Sequence, residues 1–204
     1  MLDEIRIVSI VYISAFLPIY LLFFKFRHHS RFRWFKSIYL FSLILCAIGW
    51  ELWFTYGLFD GFAVNERRSA FMNTMIPINI NWLINSLADA GAICMGGILL
   101  ISFTSNYNDK IFLKWNWMYF GMLIAFTIGQ NIFVELFLYF DQLSVGKPLS
   151  WAPFSPFGNF INPLLYEYGD RSIMLQSQLP WLFMTPLLYF YSIISYKRMY
   201  KDSI

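Results

Sequence analysis

Apolar residues run almost unbroken through five stretches of this chain, at about 7–24, 37–59, 77–103, 116–140 and 179–196. Each stretch is close to the ~20 residues that a helix needs to cross a hydrocarbon core of about 30 Å. The pattern therefore predicts an all-α, polytopic membrane protein: a five-transmembrane-helix bundle, with residues 1–204 forming a single transmembrane domain. The first stretch, VSIVYISAFLPIYLLFF, lacks a basic start and a small-residue cleavage site, so it reads as a helix and not as a cleaved signal peptide. Pro18 and Pro186 fall inside predicted helices, which a bundle tolerates where neighbours bond the freed carbonyl.

Composition agrees. The chain is 58% hydrophobic and 22% aromatic but only 13% charged, with a mean hydropathy of +0.53. A soluble domain carries roughly 25% charged residues. This excludes a soluble enzyme, a disordered chain and a nucleic-acid-binding module; no nucleic acid is expected as a partner. Cys46 and Cys94 lie in apolar runs and read as small buried hydrophobes. His28 and His29 sit side by side in a basic loop, far from the intramembrane acids. No metal site and no cofactor is expected.

Charge placement orients the helices. The loop at 25–36 holds Lys25, Arg27, Arg31, Arg33 and Lys36. Lys110 and Lys114 follow the third stretch, and Lys197, Arg198 and Lys201 the fifth. All lie on one side, which the positive-inside rule makes cytoplasmic. The other side carries a mixed set: Asp60, Glu66, Arg67, Arg68, Asp141, Lys147, Glu167, Asp170 and Arg171. The N-terminus is thus expected outside or in the lumen, and the C-terminus in the cytoplasm. The membrane would be the endoplasmic reticulum in a eukaryote or the inner membrane in a bacterium. The segment at about 141–178, dense in Pro and aromatics, reads as a non-cytoplasmic cap. Trp151, Phe154, Phe157 and Phe160 would be its anchors, either in an interfacial belt or as a lid over a cavity.

Charges inside a span cost about 2.5–3.5 kcal/mol each at its centre. The spans nevertheless hold Glu51, Asp89 and Glu135, with no Lys or Arg at comparable depth. Such acids either stay neutral or share a polar cavity. Spacing favours a cavity. Asn81, Asn85 and Asp89 recur every fourth residue, as do Thr127, Asn131 and Glu135, with Gln130 beside them. Trp50, Trp53 and Tyr56 flank Glu51, and the fifth stretch adds Gln178, Trp181, Thr185 and Tyr189. The predicted interior is lined by acids, amides and aromatics, deepest at Asp89 and open toward the non-cytoplasmic side. Asp89, Glu51 and Glu135 are the candidate catalytic acids. Trp53, Tyr56, Asn81, Asn85, Gln130, Asn131, Trp181 and Thr185 are the candidate ligand-binding residues. The competing reading of the amides is interhelical hydrogen bonding, and that of Gly91, Gly96 and Gly97 is close helix approach.

These residues resemble the emopamil-binding protein family, the EXPERA-domain group, which includes sterol Δ8–Δ7 isomerase and ligand-binding receptors. The resemblance covers roughly residues 37–200. It rests on Glu51, Trp53 and Phe54 in the second helix and on Asp89 eight residues before Gly97 in the third. Gly129, Gln130, Glu135, Tyr139 and Phe140 carry it in the fourth, and Phe183 and Met184 in the fifth. The chain departs from the family pattern at Ala47, where the isomerase has a His, and at Thr185 and Leu188, where it has Asn and Trp. Its fourth-helix acid comes one residue late. The resemblance implies five membrane helices, a lumenal N-terminus and a pocket for a lipophilic small molecule such as a sterol or isoprenoid lipid. It also implies double-bond isomerisation, with Asp89 as the primary acid/base and Glu51 as its partner.

Two classes of function stand side by side at this stage. One is an isomerase-like membrane enzyme that transfers protons within an intramembrane cavity. The other is a non-catalytic protein that binds sterols or lipophilic amines in the same pocket. A subunit of a larger membrane complex, or a homodimer, is a further reading of the Phe-rich exterior. A transporter fits less well, because the five stretches show no inverted repeat.

Overall fold

The structure is a computed structural model, and it describes residues 2–58, 62–138, 158–168 and 171–200. It is mostly helical. Helix α1 spans Leu2–Ile19 and continues through a wide π-helical turn, Tyr20–Lys25. Helix α2 begins at Ser30–Cys46, widens over Ala47–Glu51 and ends at Leu52–Tyr56. Two short helices follow, α3 (Val64–Arg67) and α4 (Ala70–Met75). Helix α5 comprises Ile78–Ala88, a wide segment Asp89–Met95 and Gly96–Thr104. After a 3₁₀ turn, Asp109–Leu113, comes α6, Trp117–Phe137. A single turn α7 (Gly158–Ile161), an antiparallel hairpin β1 (Leu164–Tyr168) and β2 (Arg171–Met174), and α8 (Leu175–Met199) complete the chain.

Among the described residues, four helical stretches are long and apolar enough to cross a membrane: Leu2–Lys25, Phe32–Tyr56, Ile78–Thr104 and Trp117–Phe137. This makes the chain a membrane protein by length and composition. The fifth predicted stretch also forms a helix, α8, of 25 residues. It does not count among the apolar four, because Gln176, Gln178, Thr185, Ser192 and Ser195 lower its hydropathy. Those side chains are buried inside the bundle.

Contacts between helices fix their directions. Trp34 Nε1 donates to Ser192 O at 3.0 Å, and Trp50 packs on Trp181 with centroids 4.4 Å apart, so α2 and α8 run antiparallel. Asn81 Nδ2 donates to Thr55 Oγ1 at 2.9 Å while the Cys46 and Cys94 thiols approach to 3.9 Å, so α2 and α5 are antiparallel too. Thr127 meets Thr185, and Asn131 meets Gln178, which makes α6 antiparallel to α8. The basic residues at 25–36, 110–114 and 197–198 therefore gather at one end of the bundle.

Helix α5 sits at the centre, against α1 on one side and α2 on another. Close approach to α1 depends on Gly91. A Cβ there would lie 2.3 Å from Pro18 Cγ and 2.9 Å from Ser14 O. Pro18 has no N–H to bond that carbonyl four residues back, and Gly91 fills the space beside it. Helix α2 stops at Gly57, whose φ of 62° closes the helix in a left-handed cap.

Some expected boundaries move. Helix α2 starts at Ser30, not near 37, because Trp34 and Phe35 are fully buried, Trp34 against Phe112 and Tyr196, and draw the basic segment into the helix. Arg33 and Lys36 thus project from a helix face and not from a loop. The cap region is not all loop. Its later part forms the hairpin, and α8 already begins at Leu175. Phe160 is 96% exposed, while Trp151, Phe154, Phe157, Tyr139 and Phe140 lie outside the described residues. Arg67 and Arg68, expected as loop charges, are buried at 3% and 5% exposure. Arg68 donates to Asn73 Oδ1 and Asn81 Oδ1, each at 2.7 Å, and to the Ile76 carbonyl. Burial pulls its guanidinium below the ordinary value, to about 10, so it stays charged at neutral pH.

Candidate functional site

Two wide helical segments carry two of the intramembrane acids. Glu51 closes the segment in α2, and Asp89 opens the one in α5. A π-helical turn adds a residue to the helix and leaves backbone groups with displaced partners, and such turns concentrate at functional sites. In α2 the displaced carbonyls are met by indoles: Trp82 Nε1 bonds Ala47 O, and Trp53 Nε1 bonds Ile48 O at 2.8 Å.

The widened turns bring the acids together through Trp50. Its indole Nε1 lies 2.9 Å from Asp89 Oδ2 and 3.1 Å from Glu51 Oε1. One N–H donor is thus shared by two carboxyl groups. Glu51 is buried, and its Oε2 has no hydrogen-bond partner among the described residues. Asn85 lies beside the same carboxyl. Asp89 is half-buried and stands on the wall of two adjoining clefts.

The first cleft, of about 70 Å³, is lined by Trp50, Asp89, Gln130, Asn131, Glu135 and Trp181 among others. The second, of about 270 Å³, is lined by Glu51, Asn85 and Asp89 and extends to Ile10 and Ser14 of α1. Phe54, Asp89, Ile93, Gln130 and Val134 belong to both walls. The three acids therefore line two clefts that share a wall, with Asp89 on both. Their walls combine apolar side chains with a few convergent polar groups, the make-up of a ligand pocket. Among the described residues, no cluster of three or more His, Cys, Asp or Glu is placed to hold a metal ion.

Glu135 is held differently. Its Oε2 accepts from Gln178 Nε2 at 2.8 Å, and Asn131 Nδ2 donates to Gln178 Oε1 and to Ser177 O, both at 3.0 Å. This ladder joins α6 to α8 and forms one wall of the first cleft.

The remaining predicted residues divide. Asn85, Gln130, Asn131 and Trp181 line the clefts. Asn81 does not: it donates to Thr55 Oγ1 at 2.9 Å and accepts from Arg68. Thr185 bonds Thr127 at 2.8 Å and Trp181 O at 2.6 Å, a buried link between α6 and α8 away from the acids. Trp53 supports the backbone of α2, and Tyr56 is exposed at the helix end. Sequence reasoning gave no cleft role to Phe54, Ile93, Val134 or Ser177. Trp50 was noted only as a neighbour of Glu51, although its position beside that acid was the available signal.

No protein-family model, no curated protein and no solved structure matches this chain.

Proposed function

We propose that the protein is a multi-pass membrane protein of five spans that binds a lipophilic small molecule, of sterol or isoprenoid type, and shifts its double bond by proton transfer between Asp89 and Glu51. The observation that carries this reading is the pair of carboxyl groups joined by the Trp50 N–H on the wall of an aromatic-lined cleft. One acid delivers a proton to an alkene carbon, and a cation develops at its neighbour. The other acid removes a proton from the adjacent carbon. The double bond moves, and no net proton is consumed. The ring faces of Trp50, Trp181 and Phe54 favour the developing positive charge. An apolar groove of about 420 Å³ along α1 and α5 shares Ser14 and Ala92 with the acid cleft, room for the rest of a long hydrocarbon. The resemblance to the emopamil-binding protein family supports the same reading.

In this proposal α8 is the fifth span. At 1.5 Å per residue its 25 residues reach about 37 Å. Its outer face is apolar, with Phe183 at 69% and Phe190 at 55% exposure, and only its inner face is polar. The basic end faces the cytoplasm and the N-terminus lies outside.

Incubation of the purified protein with a panel of ring-unsaturated sterols and isoprenoids in D2O tests the chemistry. Deuterium incorporation at an allylic carbon by the wild type, reduced about 100-fold or more in Asp89→Asn, is expected. Equal incorporation by the variant removes the assignment. A second reading, binding without catalysis, is favoured by Ala47, which supplies only a backbone carbonyl where the family has a His. Saturable sterol binding with no deuterium uptake selects it.

A further inference from the structure

At the basic end of the bundle, a recess of about 400 Å³ opens between the start of α2 and the end of α8. Its walls are Arg33 and Ser37 from α2 with Tyr191, Ser195 and Arg198 from α8. The two guanidinium groups come from different helices, and among the described residues no Asp or Glu lies on the walls. Ser37 Oγ and Tyr191 OH bond each other at 2.8 Å, and Tyr191 is held by stacking on Phe41 at 3.9 Å between centroids. Ser195 is 5% exposed, and its hydroxyl has no hydrogen-bond partner among the described residues.

Two cations and a group of hydroxyls match the chemistry of a phosphate group: guanidinium forks pair with its oxygens, and hydroxyls satisfy the rest. The recess lies where helices that cross a bilayer would end, which is the depth of lipid headgroups. Basic pockets between helices at this depth hold anionic lipids. We infer that the recess between Arg33 and Arg198 binds the phosphate of an anionic phospholipid. The site is separate from the acid clefts and independent of the reading given for them.

The test uses the full-length protein, delipidated in a neutral detergent, with binding read by native mass spectrometry. The probes are phosphatidylglycerol, phosphatidylcholine and inorganic phosphate. Phosphatidylglycerol is expected to bind saturably and more tightly than the other two. Arg33→Gln/Arg198→Gln should weaken that binding about tenfold or more, while Lys110→Gln/Lys114→Gln, at the same end of the bundle, should leave it within about twofold. Circular dichroism verifies that both variants keep their helices, and Ser195→Ala supplies a milder change in the same direction. Retained affinity in the arginine variant, or an equal loss in the lysine control, overturns the site. Inorganic phosphate binding as tightly as the lipid overturns its assignment to a lipid.

Discussion

The indole nitrogen of Trp50 donates to the Asp89 carboxylate at 2.9 Å, joining α2 to α5 within the widened turns that also carry Glu51. The same N–H lies 3.1 Å from Glu51, so one donor serves two acids. Trp50→Phe keeps an aromatic ring against Trp181 but deletes that donor. A buried polar group left without its partner costs roughly 1–3 kcal/mol. Thermal melting in detergent should show a loss of that order, together with weaker binding of ligands to the acid cleft. Unchanged melting and unchanged binding would show that the bridge does not organise the pair.

Gln178 bridges Glu135 and Asn131 between α6 and α8. Gln178→Leu conserves approximate bulk and strips both bonds. The expected loss is about 1–3 kcal/mol in thermal unfolding, and Gln178→Glu, which removes the donor to Glu135 and adds a charge, should lose more. Thr127 and Thr185 offer the contrasting case. Their hydroxyl bond lies away from the acids, so Thr127→Val and Thr185→Val should couple by only about 0.6–2 kcal/mol in a double-mutant cycle and leave cleft binding intact.

The helices were legible because a membrane span needs ~20 apolar residues and little else in a sequence produces that run. The acids were legible because charge is rare there. Their grouping was only partly so. A four-residue spacing placed Asn81 on one stripe with Asp89, yet eight residues of helix separate them by about 12 Å, far enough for Asn81 to serve Arg68 while Asp89 serves the cleft. The widened turns that carry Glu51 and Asp89 have no signature in the spacing of polar residues. Arg67 and Arg68 read as loop charges because nothing local states what will cover them. The hairpin did have a signal, Gly-Asp between the runs LLYEY and RSIM, masked by the aromatic density before it.

Arg68 ties the segment between α2 and α5 to Asn73, Asn81 and the Ile76 carbonyl. Three acceptors in three directions require the guanidinium fork, which an ammonium on a flexible stem does not reproduce. Arg68→Lys should therefore destabilise, by about 1.5–3 kcal/mol for the charged hydrogen bonds lost. Proteolysis between α2 and α5 should become faster in the variant. Wild-type melting and wild-type cleavage together would show that the fork is not needed.

Gly91 and Gly121 form a pair with opposite expectations. A methyl group at Gly91 would meet the Pro18 ring at 2.3 Å and the Ser14 carbonyl at 2.9 Å, and the backbone oxygen cannot move aside without shifting α1. Gly91→Ala should cost about 1–3 kcal/mol, the range for overpacking a tight interior. At Gly121 an added Cβ has nothing within 4 Å. There the substitution only removes glycine's excess freedom within α6, a gain of roughly 0.5–1 kcal/mol. Melting of the two variants in the same detergent should move in opposite directions. A loss at Gly121 as large as that at Gly91 would mean that helix propensity or an unseen contact, and not the approach of α1 to α5, governs both positions.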